Sequence, residues 1–84
     1  MNNADPIVTA DLYLAAALMT CGHRPRQLIP DDRRTLFSFG PSTRLHELVN
    51  QYFSGTLQVD ALTYAEALRS AKSAAMNVSG RGAR

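Results

Sequence analysis

The sequence predicts a small α+β domain in which one helix is followed by a two-stranded antiparallel β-hairpin and then by two further helices (α-β-β-α-α). Three observations indicate this order: an apolar run at residues 12–19, a period-two alternation over residues 35–39, and two later segments with apolar residues at helical spacing. A chain of 84 residues is too short to build two separate cores. We therefore expect one globular domain at residues 9–76, between a flexible N-terminus (1–8) and a flexible basic tail (77–84).

The first helix is expected to be the centre of the fold. Thr9 can serve as its N-cap, and Asp11 suits the positive end of the helix dipole. Val8 is placed to pack on Tyr13 as a hydrophobic staple. The body, DLYLAAALMTC, is apolar nearly all round, which is typical of a helix buried on several sides. Gly22 is expected to end it in the left-handed conformation.

The hairpin is predicted from the segment RPRQLIPDDRRTLFSFG, residues 24–40. Pro30 suits the second position of a turn, and the two aspartates after it complete the reversal. In the second strand Thr35, Phe37 and Phe39 point to one face. Aromatic residues interleaved with arginines can stack nucleic-acid bases. Because a lone hairpin needs an apolar anchor, we instead expect Phe37 and Phe39 to lie in the core.

The two later helices follow from caps and apolar stripes. Ser42 is the expected N-cap of the second helix, which Gly55 ends, and Asp60 is the expected N-cap of the third. The predicted core, taken over all elements, consists of Leu14, Leu18, Phe37, Phe39, Leu45, Leu48, Val49, Tyr52, Leu62 and Leu68.

Composition favours a soluble, cytoplasmic protein without a membrane contact. The N-terminus lacks the basic segment of a signal peptide, and the apolar run at residues 12–19 is far shorter than a membrane span. The single cysteine, Cys21, excludes an internal disulfide and a multi-cysteine zinc site.

Metal binding has two weak candidates. Cys21 and His23 are one residue apart, but a zinc site would need His46 and carboxylates to complete four ligands. Asp31 and Asp32 can bind a cation, yet aspartates in a turn commonly bond their own backbone, and arginines follow directly. We expect no metal and no cofactor.

No motif for catalysis stands out. Cys21, next to the helix end, lacks an oriented base, and Ser42 and His46 are too isolated to suggest a catalytic triad. The five glycines are dispersed and form no phosphate-binding loop. We expect the protein not to be an enzyme.

Basic residues concentrate in the middle of the chain. The net charge is +2, but five arginines fall between residues 24 and 44 against only two aspartates there. Arginine can recognise phosphate or an acidic protein surface. The predicted contact surface consists of Arg24, Arg26, Arg33, Arg34, Leu36 and Arg44.

Three segments resemble a family of short bacterial and phage proteins that is classed as a domain of unknown function. They are TADLYLAAALMTCGH, the strand TLFSF, and LHELVNQYFSGTLQVDALTYAEALRSAK, so the resemblance covers roughly residues 9–76. It implies this architecture and supplies no catalytic motif. By analogy it also implies an accessory protein of phages, plasmids or bacterial nucleic-acid machinery.

Two functional classes therefore stay open. The favoured one is an adaptor that docks on a larger protein through the hairpin and its exposed edge. A second copy of the chain, paired through the same edge, is an alternative partner. The other is a direct DNA- or RNA-binding protein that uses the hairpin arginines and the basic tail.

Overall fold

The chain forms three helices and a three-stranded antiparallel sheet. The computed structural model describes residues 5–82, with side chains as far as Val78. In chain order the elements are β1 (Ile7–Thr9), α1 (Leu12–Thr20), β2 (Gln27–Asp31), β3 (Arg34–Phe39), α2 (Thr43–Ser54) and α3 (Ala61–Gly82). The α+β class is confirmed, and the sheet has one strand more than the predicted hairpin.

The additional strand comes from the segment that the sequence placed outside the domain. β1 pairs antiparallel with β3, with Ile7 opposite Phe39 and Thr9 opposite Phe37. The strand order is β1-β3-β2, so β3 is central. The predicted boundary at residue 8 is therefore corrected, and residues 1–4 lie outside the described part. A strand of three residues is too short for a period-two alternation to be recognised in the sequence. Its hydrogen bonds come from the edge of β3 that β2 leaves free.

The hairpin turn lies two residues later than expected. The last strand pair is Asp31 with Arg34, which leaves Asp32 and Arg33 as the two turn residues. Asp32 has a φ of 58°, in the left-handed region that aspartate tolerates better than most residues. Pro30 is not a turn residue but part of β2. β2 is an edge strand, where a residue without an N–H is accommodated.

Phe37 and Phe39 belong to the core. β3 alternates as predicted, and each phenylalanine is only 1% exposed. The alternative interpretation, in which these two rings stack on nucleic-acid bases, is therefore wrong. The buried core contains residues of β3 and of all three helices: Leu14, Ala15, Leu18, Phe37, Phe39, Leu45, Leu48 and Ala71.

The predicted core residues outside this cluster behave differently from one another. Val49 and Tyr52 are half-buried and pack against it, and Leu68 is half-buried. Leu62 was predicted to be buried but is 66% exposed. It precedes the buried Ala71 by two and a half helical turns and so lies on the opposite side of α3.

Asp11, not Thr9, caps α1. Its side chain accepts hydrogen bonds from the backbone N–H groups of residues 13 and 14 at 2.9 and 3.3 Å. Thr9 is held in β1, and its hydroxyl oxygen accepts from the N–H of Asp11 at 3.0 Å. The staple positions consequently fall on Ala10 and Ala15, so the predicted staple of Val8 on Tyr13 does not apply.

The other helix ends agree with their sequence signals. Gly22 and Gly55 have φ of 96° and 79°. Ser42 accepts from the N–H of Leu45 at 3.2 Å, and Asp60 from that of Thr63 at 2.9 Å. Only the end of α3 differs: it continues through Gly82, past the predicted boundary at residue 76. Residues 83–84 of the predicted tail lie outside the described residues.

Replacing Phe37 with alanine is expected to lower the free energy of unfolding by about 3–5 kcal/mol, because it leaves a cavity in the centre of the core. Phe53→Ala is the matched control, since Phe53 is 69% exposed and its truncation should change stability by no more than about 0.5 kcal/mol. Urea unfolding followed by circular dichroism measures both. Equal losses in the two variants would contradict the assignment of Phe37 to the core.

Acid should weaken the start of α3. Hydrogen bonds from the backbone and hydroxyl of Thr63 hold the pKa of Asp60 below its ordinary value of 3.8. Because the pKa of Asp60 is lower in the folded state than in the unfolded state, the ionised carboxylate stabilises the fold at pH values above the unfolded-state pKa. This contribution is lost as the pH falls through the folded-state pKa. Thermal unfolding at about pH 5 and about pH 2 should therefore show a smaller acid-induced loss for Asp60→Asn than for the native chain. Ser73→Ala, at an exposed position of the same helix, leaves every carboxylate in place and is the control that should keep the native loss.

Candidate contact surface

The sheet has one face covered by helices and one that is open in the described part of the chain. The Thr35 hydroxyl donates to the Ala75 carbonyl oxygen of α3 at 3.1 Å, which places α3 on the face that Thr35, Phe37 and Phe39 share. Buried leucines of α1 and α2 join the same core cluster as these rings. All three helices therefore lie against one face.

We call the opposite side the open sheet face and define it by Val8, Gln27, Ile29, Asp31, Arg34, Leu36 and Ser38. The strand register places them together, with Val8 opposite Ser38, Ile29 opposite Leu36, and Asp31 opposite Arg34. Val8 is 51% exposed, and the other two apolar residues are half-buried. Ile29 and Leu36 are directly opposed, and Val8 lies diagonally from Leu36, next to Ser38. Leu36 was predicted to belong to the contact surface, whereas the sequence did not indicate Val8 or Ile29.

All five predicted arginines are exposed, but they do not form one surface. Arg33 and Arg34 lie at the turn end of the hairpin, whereas Arg26 lies before the far end of β2. Five strand residues separate these ends, a distance of about 17 Å. Arg24 lines a separate groove of about 300 Å³ with residues of α1 and α3, and Arg44 lies in the first turn of α2. The expected cluster of hairpin arginines is thus divided in two.

The arginines also differ in their partners. Arg34 forms an ion pair with Asp31 at 3.0 Å, and Arg44 with Glu47 at 3.2 Å. Arg33 has no ion pair within residues 5–82. The side chain of Arg26 lies against Gly40, where a Cβ would come within 2.8 Å of its Nε.

A pocket of about 310 Å³ opens beside the turn end of the hairpin, and we call it the hairpin-end pocket. Its walls come from the turn, from the start of α1 and from α3: Ala10, Leu12, Arg33, Arg34, Thr35, Lys72, Ala75 and Met76. Sequence reasoning proposed the two arginines but missed Lys72 and Met76. Their i, i+4 spacing on one side of α3 is a signal, but only the packing of α3 on β3 brings them to the hairpin.

An aromatic cluster surrounds the start of α1. The Tyr64 hydroxyl donates to the Tyr13 carbonyl oxygen at 3.2 Å, and the ring of Phe53 lies edge-on to Tyr52 at 5.1 Å. Burial, and next the negative charge of Asp11, raise the pKa of Tyr52 above its ordinary value. Burial, and next Tyr52, raise the pKa of Tyr64. Both hydroxyls therefore stay protonated and able to donate at neutral pH.

The residues considered for metal binding or catalysis are dispersed. No three His, Cys, Asp or Glu side chains within the described residues are arranged to hold a metal ion. Cys21 is a half-buried free thiol. The His46 ring donates from Nε2 to the Asp5 carbonyl oxygen at 2.6 Å, and the Ser42 hydroxyl is used in capping α2. None of the helices within the described residues is long and apolar enough to cross a membrane.

Comparison with known proteins gives no relative. No protein-family model matches the chain, and neither the curated proteins nor the solved structures give a significant match. The resemblance to the family of short bacterial and phage proteins stays a prediction.

The bond from Thr35 to Ala75 is expected to hold the hairpin to α3. Thr35→Val keeps the shape of the side chain but removes the hydroxyl, so the free energy of unfolding should fall by about 1–2 kcal/mol. Thr43→Val, at an exposed position in α2, should change it by less than about 0.5 kcal/mol. Denaturant unfolding of both variants checks this. An unchanged stability of Thr35→Val would show that the hydrogen bond is not important for packing.

Proposed function

We propose that the chain is a small non-enzymatic binding module, an accessory or adaptor protein that docks on a larger bacterial or phage assembly acting on nucleic acid. The docking surface in this proposal is the open sheet face. One observation carries it: all three helices contribute to the core on one side of the sheet, and the other side presents the apolar pair Ile29 and Leu36 with Val8 diagonally beside it. Antiparallel sheets commonly keep a solvated face, which is usually polar.

The charges around this row suit a protein partner. Arg34 lies on the open sheet face itself, and Arg33 directly precedes it in the turn. Interfaces are enriched in arginine beside a central apolar patch, since its guanidinium bonds carboxylates while its stem covers apolar surface. A partner with an apolar ridge bordered by Asp or Glu would fit this arrangement.

The face is a better docking surface than the strand edges. β3 is paired on both sides, so the free edges belong to β1 and β2. β1 has only three residues, and β2 contains Pro30, which lacks a donor. Both features disfavour addition of a further strand. Pairing of two copies through the hairpin edge is accordingly the weaker alternative.

Direct binding of DNA or RNA is the second candidate. It draws on the exposed arginines of the hairpin and on the basic tail. Burial of Phe37 and Phe39 removes the stacking rings. Arg84 and the side chain of Arg81 lie outside the described residues. These observations favour the adaptor.

Site-specific cross-linking tests the adaptor proposal in cells of the native host. A photoreactive phenylalanine analogue at position 8, on the open sheet face, should cross-link to one discrete protein. The same analogue at position 62, exposed on α3, is the matched control and should not. A Val8→Glu variant should lose that partner in co-purification while its thermal midpoint stays native. The same cross-links from both positions would contradict the proposed surface.

Charge reversal at the turn separates a binding role from a structural one. Arg33→Glu together with Arg34→Glu should change the free energy of unfolding by no more than about 1 kcal/mol, since exposed ion pairs contribute little. The same variant should lose the partner. Wild-type partner binding would mean that the hairpin arginines are only structural, and attention should then move to Phe53, α3 and the tail.

Nucleic-acid binding is measured separately by fluorescence anisotropy with random duplex and single-stranded DNA at two salt concentrations. Under the adaptor proposal, the affinity for DNA should be weak at both salt concentrations. Tight binding that falls steeply with salt would favour direct phosphate contacts instead.

A further inference from the structure

We propose that the hairpin-end pocket binds an amphiphilic anion, a carboxylate or phosphate monoester attached to a compact apolar group. This goes beyond the proposed docking role and does not depend on it. The pocket shares Arg34 with the open sheet face, but its other walls come from the turn, from the inward-facing Thr35, from the start of α1 and from α3.

The charge of the pocket points to an anion. Arg33, Arg34 and Lys72 line it, and no acidic residue does among the side chains that the structure describes. Arg34 is held by Asp31 at 3.0 Å, but neither Arg33 nor Lys72 has an ion pair within residues 5–82. Cations gathered around one cavity repel one another, and a bound anion replaces that repulsion with attraction. Guanidinium and ammonium groups together provide the donors that carboxylate and phosphate oxygens accept.

The remaining lining indicates the other half of the ligand. It consists of Ala10, Leu12, Ala75 and Met76. Met76 is 69% exposed, and its unbranched thioether can adjust to an apolar group of irregular shape. At about 310 Å³ the pocket lies at the lower end of the range for small-molecule sites, so the apolar group must be small.

The two sides of the pocket are held together by a buried contact. Thr35 is 4% exposed, and its hydroxyl donates a hydrogen bond to the carbonyl oxygen of Ala75. Thr35 is adjacent to Arg34 in β3, and Ala75 is three residues from Lys72 in α3. The cationic residues are thus carried by a strand end and a helix that are joined directly, so little ordering is needed when a ligand binds.

The ligand chemistry has two sources, which the probes must distinguish. One is a free small amphiphile, such as a short acyl carboxylate or alkyl phosphate. The other is the C-terminal carboxylate of a partner polypeptide that ends in an apolar residue. Both present one anionic group next to one apolar group.

The test is a titration of the full chain, followed by ¹H–¹⁵N NMR, with octanoate and octyl phosphate below their micellar concentrations. Shifts should concentrate at residues 33–35 and 72–76. Octanol, octyltrimethylammonium and inorganic phosphate are the control probes and should bind more weakly. Octanol binding as tightly as octanoate, or inorganic phosphate binding as tightly as octyl phosphate, would overturn the proposal.

Variants connect the binding to the named residues. Arg33→Gln with Lys72→Gln should raise the Kd for octanoate at least about tenfold, because it replaces the charge-assisted hydrogen bonds with shorter, uncharged polar side chains. Met76→Gln should weaken octanoate but leave the weak binding of inorganic phosphate unchanged. Arg44→Gln with Arg69→Gln removes the same amount of charge elsewhere and should leave the Kd within about twofold. Equal effects of the two double variants would overturn the site.

A peptide that ends in Ala-Leu with a free carboxylate, and the same peptide as its amide, complete the test. Binding of the acid form tighter than octanoate supports the site with a partner C-terminus as the source. Tighter binding of octanoate supports it with a free amphiphile as the source. Equal binding of the acid and the amide would overturn the role of the carboxylate.

Discussion

The core cluster that β3 shares with the three helices is the feature on which the rest of the structure depends. Phe37 and Phe39 place two large rings on one face of the central strand, and α1 meets them with a segment, Leu14–Leu18, whose middle residues are all alanine. Small side chains let the helix lie close to the rings and to its helical neighbours. α2 and α3 then cover the remaining sides of α1. In so small a domain little other apolar surface is available to replace this layer.

Much of the fold was predictable because its signals are local. Capping by Ser42 and Asp60, the glycines that end α1 and α2, and the alternation of β3 depend on neighbours within a few residues. The third strand could not be predicted, since Ile7–Thr9 becomes a strand only by pairing with a segment thirty residues away. The exposure of Leu62 could not be predicted from local signals either, because the position of α1 decides which side of α3 is buried.

The candidate sites divide along the same line. Sequence reasoning identified the arginines and Leu36 from composition, but composition cannot say which of them share a surface. The length of β2 separates Arg26 from Arg33, and the packing of α3 adds Lys72 to the turn. The hairpin thus contributes to both proposed recognition surfaces. Its open face combines three apolar residues with polar and charged ones, and its turn end borders a cationic cavity with a partly apolar lining.

The position of β1 has a consequence for the order in which the domain is completed. Its three residues precede the other elements of the domain along the chain, yet their partners on β3 are Phe37, Ser38 and Phe39. Until β3 is in place, this segment has no strand to pair with. We therefore expect β1 to join the sheet after the hairpin has formed, since closing a loop over such a separation costs more entropy than closing the hairpin turn.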